Sequence, residues 1–343
     1  MRGGASLAVA FYHFWNNPAF SVGRAATPPP LRAALSGSRL GVEVFFAISG
    51  FVMAYTLRDA VVTRRYAMGF ILRRSIRLDP PYWLTIALAL LAARVSDLAV
   101  HRPIATAPLP AVLAHLFYLQ ELLGYQQILI IFWTLCLEVQ FYLVLLILVW
   151  AAARLSRPIM GGLHVVLALL SVAAYCGAFP SLPGLFLPNW FMFLAGCTVA
   201  WCNAGRLPRW FPAWVAVGCL VLGARLWNPE PLISGLAVAI LAAGVWWPHV
   251  MRSLTARPIQ WLGRISYSLY LVHPLIGERL QNVGRRICGE RLGWLWAWLI
   301  VALVASLLTA SLFHRWVEAP CVALARRASD PWMRRGRENR VPS

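Results

Sequence analysis

The sequence contains no lysine at all: its 31 basic side chains are arginines, against 12 acidic ones, and charged residues make up only 13% of the 343. No soluble domain of this length normally has so few charges together with 60% hydrophobic residues, 17 tryptophans and a mean hydropathy of +0.66, so the chain reads as a polytopic membrane protein. A GC-rich codon bias explains the missing lysine as well as binding chemistry does, and the formal charge of +19 is therefore not a sign of nucleic-acid binding. Disulfide and metal frameworks are missing too. Most of the seven cysteines, Cys136, Cys176, Cys197, Cys202, Cys219, Cys288 and Cys321, fall within apolar runs, and none forms a Cys-x-x-Cys pair. Neither a metal nor a permanently bound cofactor is expected. The first apolar run has no small-residue cleavage site and leads on to further spans, which argues against a cleavable signal peptide. With no internal repeat and no soluble second domain in sight, polar residues inside apolar runs are where chemistry has to be sought.

Apolar runs bounded by Pro, Gly or Arg fall at residues 4–20, 41–58, 80–96, 131–152, 162–179, 188–204, 210–227, 231–248, 264–281 and 293–315. The expected fold is all-α, an integral membrane protein of about ten transmembrane helices. Several runs are short for a hydrocarbon core of about 30 Å, and Leu109 to Tyr125 reads as a half-buried interfacial helix or an eleventh span. An even count puts both termini on one side. With the N-terminus inside, about two thirds of the arginines fall in inner loops or span ends, so cytoplasmic termini in an inner (plasma) membrane are expected. The outer loop holding Arg279, Arg285, Arg286 and Arg291 dissents. The expected organisation is a membrane-embedded domain over 1–320, then a basic tail over 321–343 that is disordered or lies on the membrane surface.

Between Met1 and Pro18, Arg2 and His13 are the only side chains able to carry charge near neutral pH. Eleven helical steps return them to within about 20° of one face, with Ser6 and Asn17 close to the same stripe. Arg2 would sit at a membrane surface and His13 about 16 Å deeper, either bonding a neighbouring helix or serving a site. Glu43 lies near the outer end of the second span, whose Ser49 and Gly50 permit close helix contact. Arg73, Arg74 and Arg77 lie within one helical turn; they are either a positive-inside flank or a grip for phosphates. In the fourth span Thr134, Glu138 and Tyr142 share a stripe, and a carboxylate at that depth needs a partner or a proton. In the ninth, Ser266, Tyr270 and His273 share a face, with His273 about 14 Å into the membrane, close to the depth of His13. Two histidines and a glutamate are thus expected in one layer.

Together these stretches resemble the acyltransferase family 3 of integral membrane proteins, which includes O-antigen, exopolysaccharide and nodulation-factor acetylases. Arg2 and His13 fit that family's arginine, ten residues, histidine pattern, and Arg74 and Arg77 its arginine, two residues, arginine pattern. Trp133-Thr134-Leu135 with Glu138 and Phe141-Tyr142, the run Ser266 to His273, and His314-Arg315-Trp316-Val317-Glu318-Ala319-Pro320 look like three further signatures. Two departures stand out: Glu43 occupies a position where aspartate is commoner, and Arg2 follows Met1 directly where members usually have a longer leader.

The resemblance implies transfer of an acyl group, commonly acetyl, from cytoplasmic acyl-coenzyme A as co-substrate to a sugar hydroxyl at the outer face. Carbohydrate or another glycosylated acceptor, acyl-coenzyme A and membrane lipid are then the expected partners. A sugar hydroxyl is a poor nucleophile at neutral pH, so His13 is the candidate base, acting on the acceptor directly or first carrying the acyl group itself. Glu138 is the candidate for orienting or charge-stabilising the imidazole. Arg2, Glu43, Tyr270 and His273 are candidate supporting or lining residues, and Arg73, Arg74 and Arg77 candidate donor-binding residues. The rival class is a proton-coupled secondary transporter, since intramembrane His and Glu also build proton relays, although repeats and broken-helix pairs are lacking.

Overall fold

A computed structural model describes residues 1–99, 107–152, 154–247, 249 and 256–333. Among the described residues every regular element is helical. In order they are α1 (Arg2–Asn16), α2 (Ser21–Ala25), α3 (Pro29–Ser36), α4 (Gly41–Leu57), α5 (Arg64–Ala99), α6 (Leu109–Leu116), α7 (Phe132–Ala152), α8 (Arg157–Tyr175), α9 (Trp190–Asn203), α10 (Phe211–Leu226), α11 (Pro229–Trp246), α12 (Arg257–Arg264), α13 (Ser266–His273), α14 (Arg279–Cys288), α15 (Leu292–Phe313) and α16 (Ala319–Met333). Two π-helical turns, Pro274–Glu278 and His314–Glu318, join α13 to α14 and α15 to α16.

Among the described residues six stretches are long and apolar enough to cross a membrane: Pro29–Leu57, Arg64–Ala99, Phe132–Ala152, Pro158–Tyr175, Pro229–Trp246 and Leu292–Trp332. The chain is therefore an all-helical, polytopic membrane protein. The other expected spans correspond to shorter helices: α1 has 15 residues, α9 14 and α10 16. The run 264–281 is divided, because Pro274 has no N–H to offer the carbonyl of Tyr270 and the chain widens into a π turn there. Between Leu109 and Tyr125 only the first half is helical, and α6, with eight residues, is too short to span. It stops where Tyr118 adopts a left-handed φ of 59°, a conformation its side chain secures by donating from the hydroxyl to Asp79 Oδ1 at 3.0 Å. Arg73, Arg74 and Arg77 lie within the 36 residues of α5, which continues through Pro80 and Pro81. Those prolines have no N–H to offer the Ile76 and Arg77 carbonyls, as membrane helices tolerate. The expected tail begins as helix: α16 runs to Met333, where the Arg65 guanidinium lies 5.6 Å above the Trp332 ring and also donates to the Pro331 carbonyl. Residues 334–343 lie outside the described residues.

The chain divides into two compact units. The first comprises Met1–Val42, Pro80–Ala107 and Arg252–Cys321. Here α1 packs on α12, α13 and α15, and with α15 it shares a core of Ala10, Phe14, Trp15, Phe20, Leu295, Leu299 and Ala302. Lipid is as apolar as these side chains, so the packing gains from dispersion and ring geometry more than from leaving water. Trp15 lies 5.4 Å from the Phe20 ring and 6.0 Å from that of Trp296. Gly277 lets the first π turn close on α1, for a Cβ there would fall 2.1 Å from the Phe14 ring.

The second unit comprises Glu43–Asp79, Pro108–Met251 and Val322–Ser343. Its α4 and α9 cross backbone to backbone at two glycines: a Cβ on Gly50 would lie 1.8 Å from the Phe193 carbonyl oxygen, and one on Gly196 1.8 Å from that of Ala47. Phe193 stacks between Phe46 and Phe141, with centroids 4.5 and 4.2 Å away. Behind that crossing, α9, α10 and α11 share a core of Ala195, Val199, Ala216, Val238 and Ala242.

Candidate functional site

In the first unit, α1 presents His13 from its last turn, and the end of α13 presents His273. The two imidazole rings lie 5.2 Å apart, tilted by 46°. His273 is fully buried, between Phe14 at 6.0 Å and Tyr270 at 6.1 Å. Its Nδ1 lies 3.0 Å from the Leu269 carbonyl, which can only accept, so the proton of the neutral ring sits on Nδ1. Among the described residues, none donates to the Nε2 lone pair of His273.

The carboxylate facing His13 within this unit is Glu278, at the end of the first π turn: Glu278 Oε1 lies 4.0 Å from His13 Nδ1. That separation is an ion-pair contact rather than a hydrogen bond, between side chains 18% and 37% exposed. Helix α1 also fixes this turn. Asn17 donates from Nδ2 to the Glu278 carbonyl at 3.2 Å, and Gln281 donates from Nε2 to the Phe14 carbonyl at 3.1 Å. Arg2, half-buried, opens α1, and Ser6 turns inward to donate to the Gly3 carbonyl at 3.0 Å. Two of the dissenting arginines have local partners, Arg279 on the Leu275 carbonyl and Arg285 on Glu290.

In the second unit Glu138 is the centre of another cluster. Its Oε1 accepts from Ser49 Oγ at 2.7 Å and from the Tyr142 hydroxyl one turn along α7. Over the Tyr142 ring, 4.6 Å from its centroid, stands the guanidinium of Arg74, whose Nη2 also contacts Met53 Sδ at 2.9 Å. One turn further along α5, Asp79 accepts from Ser75 and Tyr118. Arg73 and Arg77 are half-buried on the same helix, and Glu43 is buried at the start of α4. Thus His13, His273, Tyr270 and Arg2 belong to one unit, and Glu138, Glu43, Arg73, Arg74 and Arg77 to the other.

Sequence reasoning missed Glu278, Gln281 and Asp79 and underrated Ser49. The available signal for Glu278 was a carboxylate inside the apolar run 264–281, only five residues after His273. Among the described residues no cluster of three or more His, Cys, Asp or Glu side chains is arranged to hold a metal ion.

Paired imidazoles with a facing carboxylate in one unit, and an arginine stacked over a tyrosine in the other, thus stand in an all-helical, polytopic membrane protein. Residues 1–315 match the acyltransferase domain family, and the chain belongs to acyltransferase family 3, a membrane acyltransferase. It is 26% identical to nodulation protein 10 of Rhizobium leguminosarum bv. viciae, an alignment covering 83% of this chain and 82% of that protein. No solved structure matches it.

Proposed function

We propose that this acyltransferase moves an acyl group, commonly acetyl, from acyl-coenzyme A at the cytoplasmic side to a hydroxyl of an extracytoplasmic carbohydrate or glycosylated acceptor, in the inner (plasma) membrane. The observation that carries the reading is the paired imidazoles of His13 and His273 with Glu278 beside His13. His13 takes the proton of the acceptor hydroxyl as its oxygen attacks the thioester carbonyl carbon. The carbon–sulfur bond then breaks, and the imidazolium returns its proton to the departing thiolate, so the ring ends neutral. Glu278 on the Nδ1 side stabilises the imidazolium while it exists, leaving Nε2 to face the substrate. A sugar carries neighbouring hydroxyls, and a second one can donate to the lone pair on His273 Nε2.

Glu138 receives a different part from the one its sequence suggested. Since Ser49 and Tyr142 hold its Oε1, and Tyr142 stacks under Arg74, Glu138 supports the donor-binding arginine. Arg74, with Arg73 and Arg77, then supplies the planar donors suited to the phosphates of coenzyme A. The test is acyl transfer from radiolabelled acyl-coenzyme A by purified protein, compared with His13→Ala at matched amounts. The variant should lose transfer while inserting and purifying normally. An intact thioester with the wild type, or wild-type turnover with the variant, would remove His13 from the chemistry.

A further inference from the structure

Helix α13, which carries His273, is only eight residues long, and its regular α-helical register is interrupted at both ends. At its start Ile265 leaves helical geometry with φ −83° and ψ 2°, and at its end Pro274 offers no N–H to the Tyr270 carbonyl. Between these interruptions the rotation of α13 is held by side-chain ties as well as by the backbone. One such tie reaches the second π turn. Ser268 Oγ donates to Glu318 Oε2 at 2.6 Å, and the same oxygen accepts from His314 Nδ1 at 2.9 Å. Ser268 is fully buried and Glu318 is 3% exposed, so the carboxylate is desolvated and held by these donors. Ser268 and His273 are five residues apart, about 140° around the helix, so the tie grips one side of α13 while the imidazole faces α1 from the other.

We propose that Glu318 is a positioning residue for transfer: through Ser268 it fixes the rotation of α13 and so aims His273 at His13. The inference rests on the reading that the histidine pair performs the chemistry. Because a misplacement of about 1 Å can cost about 100-fold in rate, the effect belongs in kcat rather than in donor affinity.

The experiment uses the full-length protein in detergent, with acyl-coenzyme A and a glycan acceptor, and the variants Glu318→Ala, Glu318→Gln, Ser268→Ala, Ser268→Thr and Ser268→Ala/Glu318→Ala. Glu318→Ala should lower kcat by about 10- to 100-fold with the donor KM within about twofold of wild type. Ser268→Ala should fall in the same direction and Ser268→Thr, which keeps the hydroxyl, should recover. The double variant should be no worse than Glu318→Ala alone, since both changes cut one tie. A second readout is the ring-nitrogen NMR of His13 and His273, assigned with His13→Gln and His273→Gln. Glu318→Ala should move the His273 signals and Ser268→Thr should not. Wild-type kcat and unmoved His273 signals in Glu318→Ala, a loss confined to donor KM, or fully additive losses would each overturn the proposal. If the wild type turns over no acyl-coenzyme A, the functional reading fails and the NMR comparison alone decides the positioning role. Should Glu318→Ala fail to purify, Ser268→Ala and Glu318→Gln carry the same comparison.

Discussion

Replacing Glu278 by glutamine removes a charge from beside His13 while keeping size and shape, and its consequence can be worked from the 4.0 Å separation of Oε1 and Nδ1. Two opposite unit charges that far apart attract by about 4 kcal/mol at an effective dielectric of 20 and about 1 kcal/mol in bulk water. Only the imidazolium feels this attraction. On the proposed mechanism it is present when His13 holds the acceptor's proton and absent when the ring is neutral, so nearly all of it lowers the barrier rather than tightening substrate binding. Converted at about 1.4 kcal/mol per decade, the limits correspond to roughly 5-fold and 1,000-fold in kcat. Glu278 is 37% exposed and solvent screens it, which places the expected loss for Glu278→Gln at about 10- to 100-fold with acyl-coenzyme A KM unchanged. The matched comparison is Glu138→Gln. If Glu138 supports Arg74 through Tyr142, that variant raises the donor KM more than it lowers kcat. Steady-state kinetics on equal amounts of folded protein decide both. A Glu278→Gln enzyme within about twofold of wild-type kcat would refute the electrostatic argument, and a Glu138→Gln enzyme defective only in kcat would return Glu138 to the histidine.

Arg74→Ala and Arg77→Ala should weaken acyl-coenzyme A binding more than acceptor binding, and Arg74→Lys should restore charge without the flat stack on Tyr142; wild-type donor affinity by calorimetry at low salt would make these arginines topology signals only. Gly50→Ala should lower thermal stability sharply, because the new methyl meets the Phe193 carbonyl oxygen at 1.8 Å and backbone cannot step aside as a side chain can; an unchanged unfolding temperature in detergent would contradict the close crossing of α4 and α9. In sealed vesicles of known orientation, product should form only when labelled acyl-coenzyme A meets the arginine-rich face and the glycan the other; efficient transfer with both on one side and none across would reject the proposed sidedness.

The polar stripes were legible because α-helical arithmetic applies wherever the helix is regular. Three turns carry Arg2 to His13 on α1, and one turn carries Glu138 to Tyr142 on α7. The depth argument put His13 and His273 close to one layer, and their rings lie 5.2 Å apart. The same arithmetic fails where the helix does. On α-helical spacing Glu278 would point about 140° away from His273, but a π turn closes its bonds over five residues and swings the carboxylate back toward α1. Pro274, which marks that break in the sequence, says that the ladder is interrupted but not in which direction it widens. Span ends suffered for a related reason: Pro80 and Pro81 look like a boundary, yet they lie within α5, which runs on through them. Ser49 was assigned to close helix contact because a small residue beside glycine ordinarily does only that. Its bond to Glu138 depends on how α4 lies against α7, a tertiary fact with no local signature.

Both π turns end in a glutamate, and each glutamate faces a histidine: Glu278 faces His13, and Glu318 bonds His314. A π turn is rare and is found most often at functional sites, so two in one unit ask for a return. Here the return differs between them. Glu278 is partly open, stands off at 4.0 Å and lacks the close hydrogen bond that would tie up the His13 ring, an arrangement able to stabilise a proton that comes and goes. Glu318 is buried and engaged at 2.6 and 2.9 Å, an arrangement that resists movement. Glu318 is held through Oε2 by Ser268 and His314, and on the proposed mechanism the pattern of one loose carboxylate and one held one suits a transferase whose base is charged briefly and aimed constantly.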